Sequence, residues 1–263
     1  MKILLAAKHA PHGSRPIGGV QTWCRTVAAE LNARGHQATT WGPEQVAPLG
    51  GFDFGIISNI GDTGQAVRWC RKSVTVCHGI ISAEKPVGDL VVYTSEEVRD
   101  HWKGTGVVIR QPIDTDFWSP DTWGLKIYLT RFSYRAGLDF VPNLAHGLDL
   151  RYSHVRNETQ EKARDFLRQS GCVLATGRAA LEAMACGVPV VLCDHRSAYQ
   201  PPLLHLNIKR AMVQNYSGRG GVEPTMGNVL KACKDAMAAG SQRNHVMKHH
   251  DVRNIVDQLL DME

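Results

Sequence analysis

No run of this 263-residue chain approaches the ~20 consecutive apolar residues that a membrane-spanning helix requires. The opening segment, MKILLAAKHAPHG, has only five apolar residues before Lys8 interrupts it, so it reads as a first strand and not as a secretory leader. The seven cysteines, an odd number, contain no C-x-x-C pair, and Cys77, Cys172 and Cys193 lie in apolar runs. Such cysteines fit reduced core residues of a cytoplasmic protein better than a disulfide frame. The twelve histidines fall in no metal-ligand spacing, so no metal site is expected. The G-x-G-x-x-G fingerprint is missing too, which argues against a nicotinamide-dependent oxidoreductase. There is no internal repeat and no low-complexity tract. A large excess of either charge is also absent. The formal charge is +5, with 12 Lys/Arg against 11 Asp/Glu in residues 1–120 and 18 against 14 in residues 121–263. This balance permits an anionic ligand or polymer without demanding one.

What is present is an alternation of short apolar runs with helical patterns, spread over two halves of ordinary domain size, which is the signature of an α/β protein. The pattern is densest in Cys172 to His195, CVLATGRAALEAMACGVPVVLCDH. Val173 and Leu174 form an apolar strand that Gly177 breaks. Arg178 to Cys186 is a strong helix former, and Gly187 and Pro189 stop it before the strand Val190 to Leu192. Two apolar strands joined by a helix predict a parallel βαβ unit covered on both faces. One acid, Glu182, sits inside this helix, where it would either accept hydrogen bonds from the hydroxyls of a ligand or pair with a nearby arginine. The N–H groups at Gly177, Arg178 and Ala179 are expected to be free for an anion such as a phosphate.

The string GRAALEAMACGVPVV resembles the donor-nucleotide motif of the family 4 glycosyltransferases, whose fold is GT-B: two Rossmann-like domains facing each other across a cleft. The resemblance implies that Glu182 binds the ribose of a nucleotide sugar. Leu174 stands where that family carries a second glutamate eight positions earlier.

Further matches are read along the chain. Lys2 to Ala7 is a strand, followed by the Pro11 to Gly19 loop and a helix over 20–34. GGVQTW resembles the family's glycine loop over the donor phosphates, which assigns Gly18 and Gly19 to donor binding. Strands at 36–41, 52–58, 74–77 and 90–93 follow, with a helix predicted over 63–72 and another at 96–102. His78 lies at the carboxyl end of a strand, where open α/β sheets place ligands. CHGI resembles the family's catalytic-face histidine, and this assigns His78 to the transferred sugar. VIRQPIDTDFWSP resembles the segment connecting the two domains, so Asp114-Thr115-Asp116 is read as connection and not as a metal-binding D-x-D. The resulting division is 1–120 for an acceptor-side domain and 121–263 for a donor domain, with the last helix expected to pack back on the first. RFSYRAGLD resembles the family's phosphate-binding turn. Arg131 takes its Arg position; Ala136 takes its Lys position, and Arg135 is the nearest substitute. Strands over 126–130 and 148–154, a helix over 158–169 and two terminal helices near 226–239 and 252–262 complete the reading. SGRGG at 217–221 is read as a surface loop before a phosphate cradle.

The resemblance implies a retaining transfer of a sugar from a nucleotide donor, UDP- or GDP-linked, to a hydroxyl acceptor. Neither a metal nor a cofactor beyond that co-substrate is expected. The acceptor is a glycan, a small molecule or a hydroxylated base in DNA. The last follows from the chain's shortness, which resembles trimmed phage enzymes acting on modified pyrimidines. Lys209, Arg210, Arg219, Arg243, Lys248 and Arg253 would contact phosphates, and Trp41, Trp69 and Trp102 are candidates for stacking on bases along with Trp23, whose helical spacing favours the core instead. The alternative is an eroded GT-B-like protein that only binds nucleotide or DNA, supported by Leu174 and Ala136.

Overall fold

The computed structural model describes residues 1–10, 18–88, 90–121, 125–132, 139–155, 158–193, 204–219 and 223–263. The chain divides into two compact units, Met1–Pro112 with His250–Glu263, and Ile113–His249. Ile113 and Trp118 are buried in the core of the second unit, so the division falls before them and not after Pro120.

The first unit contains β1 (Lys2–Ala6), α1 (Gly19–Ala33), β2 (Gln37–Trp41), β3 (Phe52–Ser58), α2 (Ile60–Thr63), β4 (Cys70–Cys77), β5 (Val91–Tyr93), α3 (Glu96–His101) and β6 (Val107–Val108). Its six strands pair in the order β2-β1-β3-β4-β5-β6, all parallel. The helix expected over 63–72 is instead the single turn α2, a 3-10 stretch Gly64–Trp69, and the start of β4. The backbone of Phe52 recruits Cys70 into the ladder, and Gly61 and Gly64 weaken any longer helix. Alternation along β1 shows both faces covered: Ile3 and Leu5 pack with α1, while Leu4 and Ala6 pack with Trp41, Ile57 and Ile60.

The second unit contains β7 (Tyr128–Phe132), α4 (Val141–His146), β8 (Arg151–Val155), α5 (Gln160–Arg168), β9 (Ser170–Ala175), α6 (Gly177–Ala185), β10 (Val190–Leu192), α7 (Leu204–Val213), α8 (Met226–Ala239) and α9 (Arg243–His249). Its sheet runs β10-β9-β7-β8, again all parallel. The strand expected over 148–154 starts at Arg151. Leu148 to Leu150 close the turn that ends α4, with Leu148 and Leu150 bonded to the Ala145 carbonyl and Asp149 in a left-handed conformation. Residues of β9 also split by face, Cys172 and Leu174 to one side, Val173 and Ala175 to the other.

After α9 the chain returns to the first unit as α10 (Val252–Leu260), whose Val252, Ile255, Val256 and Leu259 pack in one cluster with Val27 and Leu31 of α1. These residues follow the i, i+3, i+4, i+7 spacing of one apolar face. Replacing Leu259, 1% exposed, by alanine is expected to lower the unfolding free energy by about 2–5 kcal/mol in urea titrations. A loss below about 0.5 kcal/mol would mean that α10 is not part of that core.

Candidate active site

In each sheet the strand order reverses direction once, between β1 and β3 in the first unit and between β7 and β9 in the second. Open parallel sheets bind ligands beyond the carboxyl ends of the strands at these reversals. Of the residues assigned from sequence, Arg131 and the start of α6 lie by the second reversal, and His78 follows β4, the strand next to the first.

In the first unit, His78 follows the last residue of β4 and is 9% exposed. Its Nε2 lies 2.9 Å from Ser58 Oγ at the end of β3, and its ring meets the edge of Trp23 at 5.3 Å between centroids. The carbonyl side of the turn is fixed as well: Thr94 Oγ1 donates to the His78 carbonyl and Trp102 Nε1 to the Gly79 carbonyl, at 3.2 and 2.9 Å. Gly18 precedes α1 as its N-cap, its N–H donating to Gln21 Oε1 at 3.1 Å, and Gly19 is the first helical residue. A methyl group on Gly18 would stand 2.8 Å from that oxygen, so a larger residue there would displace the end of the Gln21 side chain. Residues 11–17 of the glycine loop lie outside the described residues. Trp23 and Trp41, 1% and 3% exposed, are core residues and are unavailable for stacking on bases.

In the second unit, Arg131 lies in β7, opposite His154 of β8 and Leu174 of β9, and is 3% exposed. Arg135 and Ala136 fall outside the described residues. Gly177 opens α6 at φ +58°, a left-handed conformation that favours glycine. Its N–H is not free as expected, because it donates to the Tyr216 carbonyl at 2.7 Å. Tyr216 is fully buried, and its hydroxyl lies 2.7 Å from His245 Nε2 of α9. The anion-binding capacity expected at 177–179 therefore does not include the Gly177 N–H.

Glu182, one turn into α6, accepts a hydrogen bond on Oε1 from Arg178 Nε at 2.8 Å, an i,i+4 ion pair whose side chains are 12% and 9% exposed. Burial pushes the Glu182 carboxyl above the usual carboxylate range, against the pull of the Arg178 guanidinium. Burial likewise lowers Arg178, offset by Glu182 and Asp114. Asp114 also serves its own backbone, its Oδ1 accepting from the N–H groups of Asp116 and Phe117 at 3.1 and 2.9 Å. Asp114 thus stabilises a turn and faces a cation. Among the described residues, no three His, Cys, Asp or Glu side chains gather closely enough to hold a metal ion. Burial holds the Cys24, Cys77 and Cys186 thiols up at about 12, far from a reactive thiolate.

Sequence reasoning missed the partners that hold these groups: Ser58, Asn59 and Glu84 near His78, and Tyr216, His245 and Arg243 behind α6. Arg243 was read as a phosphate contact. Its guanidinium instead donates to the carbonyls of Thr115 and Trp118, at 3.0 and 2.9 Å, and of Ala185. Arg253 is similarly committed, to Asp251 at 2.7–2.8 Å. One signal was legible, an Asn directly after a strand at Asn59, which adopts the left-handed region at φ +55°.

Neither a family model nor a curated protein matches this sequence. Solved structures do. The crystal structure of AviGT4, a glycosyltransferase involved in avilamycin A biosynthesis, aligns with 99% of this chain and 96% of its own at a TM-score of 0.65 and 16% identity. An alpha-glucosyltransferase in complex with UDP and a 13-mer DNA containing a central A:G mismatch aligns with 100% of this chain and 99% of its own, at 0.64 and 10%. The fold is GT-B.

Within this GT-B chain, the residue at the position of the missing first glutamate has a structural account. Leu174 is 0% exposed and packs with Leu129, Val141 and Leu144, so it fills the core and does not face the carboxyl end of the sheet. Among the described residues, no helix is long and apolar enough to cross a membrane.

Replacing Arg178 by methionine removes one member of a buried pair and is expected to cost about 3–5 kcal/mol of stability at neutral pH. The native Glu182 carboxyl, already raised, rises further when its cation is lost, so the folded state binds a proton more readily than the unfolded one. The deficit therefore grows as pH rises from the unfolded value of about 4.3 through the raised native value, and shrinks on acidification. Urea titrations across that range check this, and a deficit that does not vary with pH would contradict it.

Proposed function

We propose that this protein is a retaining glycosyltransferase that moves a sugar from a nucleotide-sugar donor, UDP- or GDP-linked, to a hydroxyl acceptor without a divalent metal. The observation that carries the reading is the fold that the chain's whole length shares with two glycosyltransferases, with Glu182, although paired with Arg178, standing near the start of α6 beside the sheet reversal that also holds Arg131. Glu182 would take the ribose hydroxyls, with Arg178 holding its carboxylate in place. Arg131, Arg135 and the Arg178 and Ala179 N–H groups would neutralise the diphosphate, and Gly18 and Gly19 would let the backbone approach it. His78, with its ring fixed by Ser58 and Trp23, would contact the transferred sugar. The anomeric carbon–oxygen bond to the diphosphate breaks and the acceptor oxygen forms the new bond on the same face, its proton leaving with the diphosphate or to water. Charge accumulates on the leaving group, which is where arginines are most effective.

For the acceptor, two readings follow the two similar structures. A small molecule or glycan needs no basic surface, and AviGT4 is a glycosyltransferase involved in avilamycin A biosynthesis. Duplex DNA carrying a hydroxylated base is favoured by the second structure, which holds UDP and DNA together. Exposed Lys209, Arg210 and Lys248 remain as cations for a phosphate backbone. An eroded protein that binds without transferring is separated from both by turnover.

Incubation with UDP-glucose or GDP-mannose in excess chelator is expected to release free nucleoside diphosphate. A donor at 100 times its dissociation constant should add about 2.7 kcal/mol of stability. Arg131→Gln, if folded, should lose about 2–4 kcal/mol in transition-state stabilisation, read from kcat/KM. Near-normal transfer by that variant would remove Arg131 from the donor site, and activity restored only by manganese would refute metal independence.

Duplex DNA binding, if DNA is the acceptor, should weaken by about tenfold or more between 50 and 200 mM salt. No measurable affinity at the lower salt eliminates that acceptor.

A further inference from the structure

The turn that carries His78 has a third support besides the Thr94 and Trp102 side chains that donate to its carbonyls and the contacts of its ring. Glu84 closes the 3-10 stretch Ser82–Glu84 and is 7% exposed, and among the described residues no cation pairs with it. Its Oε1 accepts from Asn59 Nδ2 at 3.4 Å, while Oε2 is buried without a hydrogen-bond partner among the described residues. That oxygen lies against the turn itself: a methyl group built on Gly79 would stand 3.2 Å from it. Asn59 is fixed in turn by accepting the Lys8 N–H at 3.3 Å, just beyond the end of β1. The Glu84 carbonyl accepts from Cys77 Sγ at 3.0 Å. Burial raises the carboxyl; the Asn59 amide and the nearby backbone amides of Gly79 and His78, which do not reach Oε2 in a hydrogen bond, act in the opposite sense.

A buried carboxyl with an unsatisfied oxygen and no cation costs stability, and such costs concentrate where function requires them. An apolar residue would fill the same space without that cost. What it would not do is present an acceptor to the amide side of a turn whose carbonyl side is already tied down. We propose that Glu84 is a positioning residue: by bracing the His78-Gly79 turn from beneath, it fixes the imidazole of His78 toward Ser58 and Trp23. Asn59 acts with it, linking the brace to the end of β1 at the sheet reversal. The inference rests on the assignment of His78 to the transferred sugar only for its catalytic consequence. The geometric consequence stands separately.

The test uses the full chain with Glu84→Ala, Glu84→Gln, Asn59→Ala and His78→Ala, each first shown to be folded by its melting transition. Ring resonances of His78, identified by their loss in His78→Ala, report its position, and kcat and KM for release of UDP from UDP-glucose report the catalytic effect. In Glu84→Ala the resonances should move away from their wild-type positions, and kcat should fall by about tenfold or more with KM for UDP-glucose within about twofold, as expected when a reacting group is misplaced without loss of binding. Glu84→Gln, which keeps the volume and one acceptor, should return the resonances and most of kcat. If Glu84→Ala does not fold, Asn59→Ala carries the same expectation. Unmoved His78 resonances in a folded Glu84→Ala or Asn59→Ala variant overturn the proposal, as does an equal loss in the Ala and Gln variants. Full UDP release by His78→Ala would instead overturn the role given to His78, leaving the resonances to decide the brace.

Discussion

Among the described residues every strand pairs only in parallel, and from that constraint the rest of the structure follows. A parallel strand cannot return to its neighbour through a tight turn, so a helix or long segment must cross over one face of the sheet, and both faces become buried. The alternation of Ile3 and Leu5 against Leu4 and Ala6, and of Cys172 and Leu174 against Val173 and Ala175, is the packing result. Polar chemistry is thereby expelled from the strand middles to their carboxyl ends. Ser58, His78, Arg131 and the opening of α6 all stand there because the sheet leaves no other place for them.

Placing charge at such an edge exposes it to little water. Arg178 and Glu182 answer that with each other, Arg243 with backbone carbonyls, and Asp114 with backbone amides. Each solution fixes geometry in a different way. An i,i+4 pair orients a carboxylate along one helix, whereas a guanidinium spread over three carbonyls ties the end of a helix to a distant turn. The Tyr216 carbonyl takes the N–H of Gly177, so part of the helix end is used structurally.

The α/β class, the Glu182 helix with its flanking strands, and the strand-end position of His78 were legible because they depend on local patterns: apolar runs, glycine breaks and a strong helix former. The helix read over 63–72 was not, since the ladder partner Phe52 decides where β4 begins and lies 18 positions away from Cys70. Arg243 looked like any basic surface residue, because its carbonyl partners Thr115 and Trp118 are 128 and 125 positions distant. Glu84 carried no periodic signal at all. Leu174 read as a lost acid, and only its core neighbours show that the position is filled by packing. Sequence pattern thus located the elements that carry the candidate residues, while the groups that hold them are set by tertiary contacts without a local signature.

The return of α10 has a consequence for synthesis. The first unit begins at residue 1 yet keeps part of its core in residues 250–263, so its N-terminal segment emerges from the ribosome with one apolar face of α1 uncovered. At 5–20 residues per second the missing helix arrives on the order of 10 s later. The second unit, Ile113–His249, is contiguous and contains its own sheet and core, so it reaches a complete set of residues first. Translation therefore delivers the parts in reverse: the unit whose residues emerge earlier is the last to be finished, and until then its apolar stripe stays uncovered.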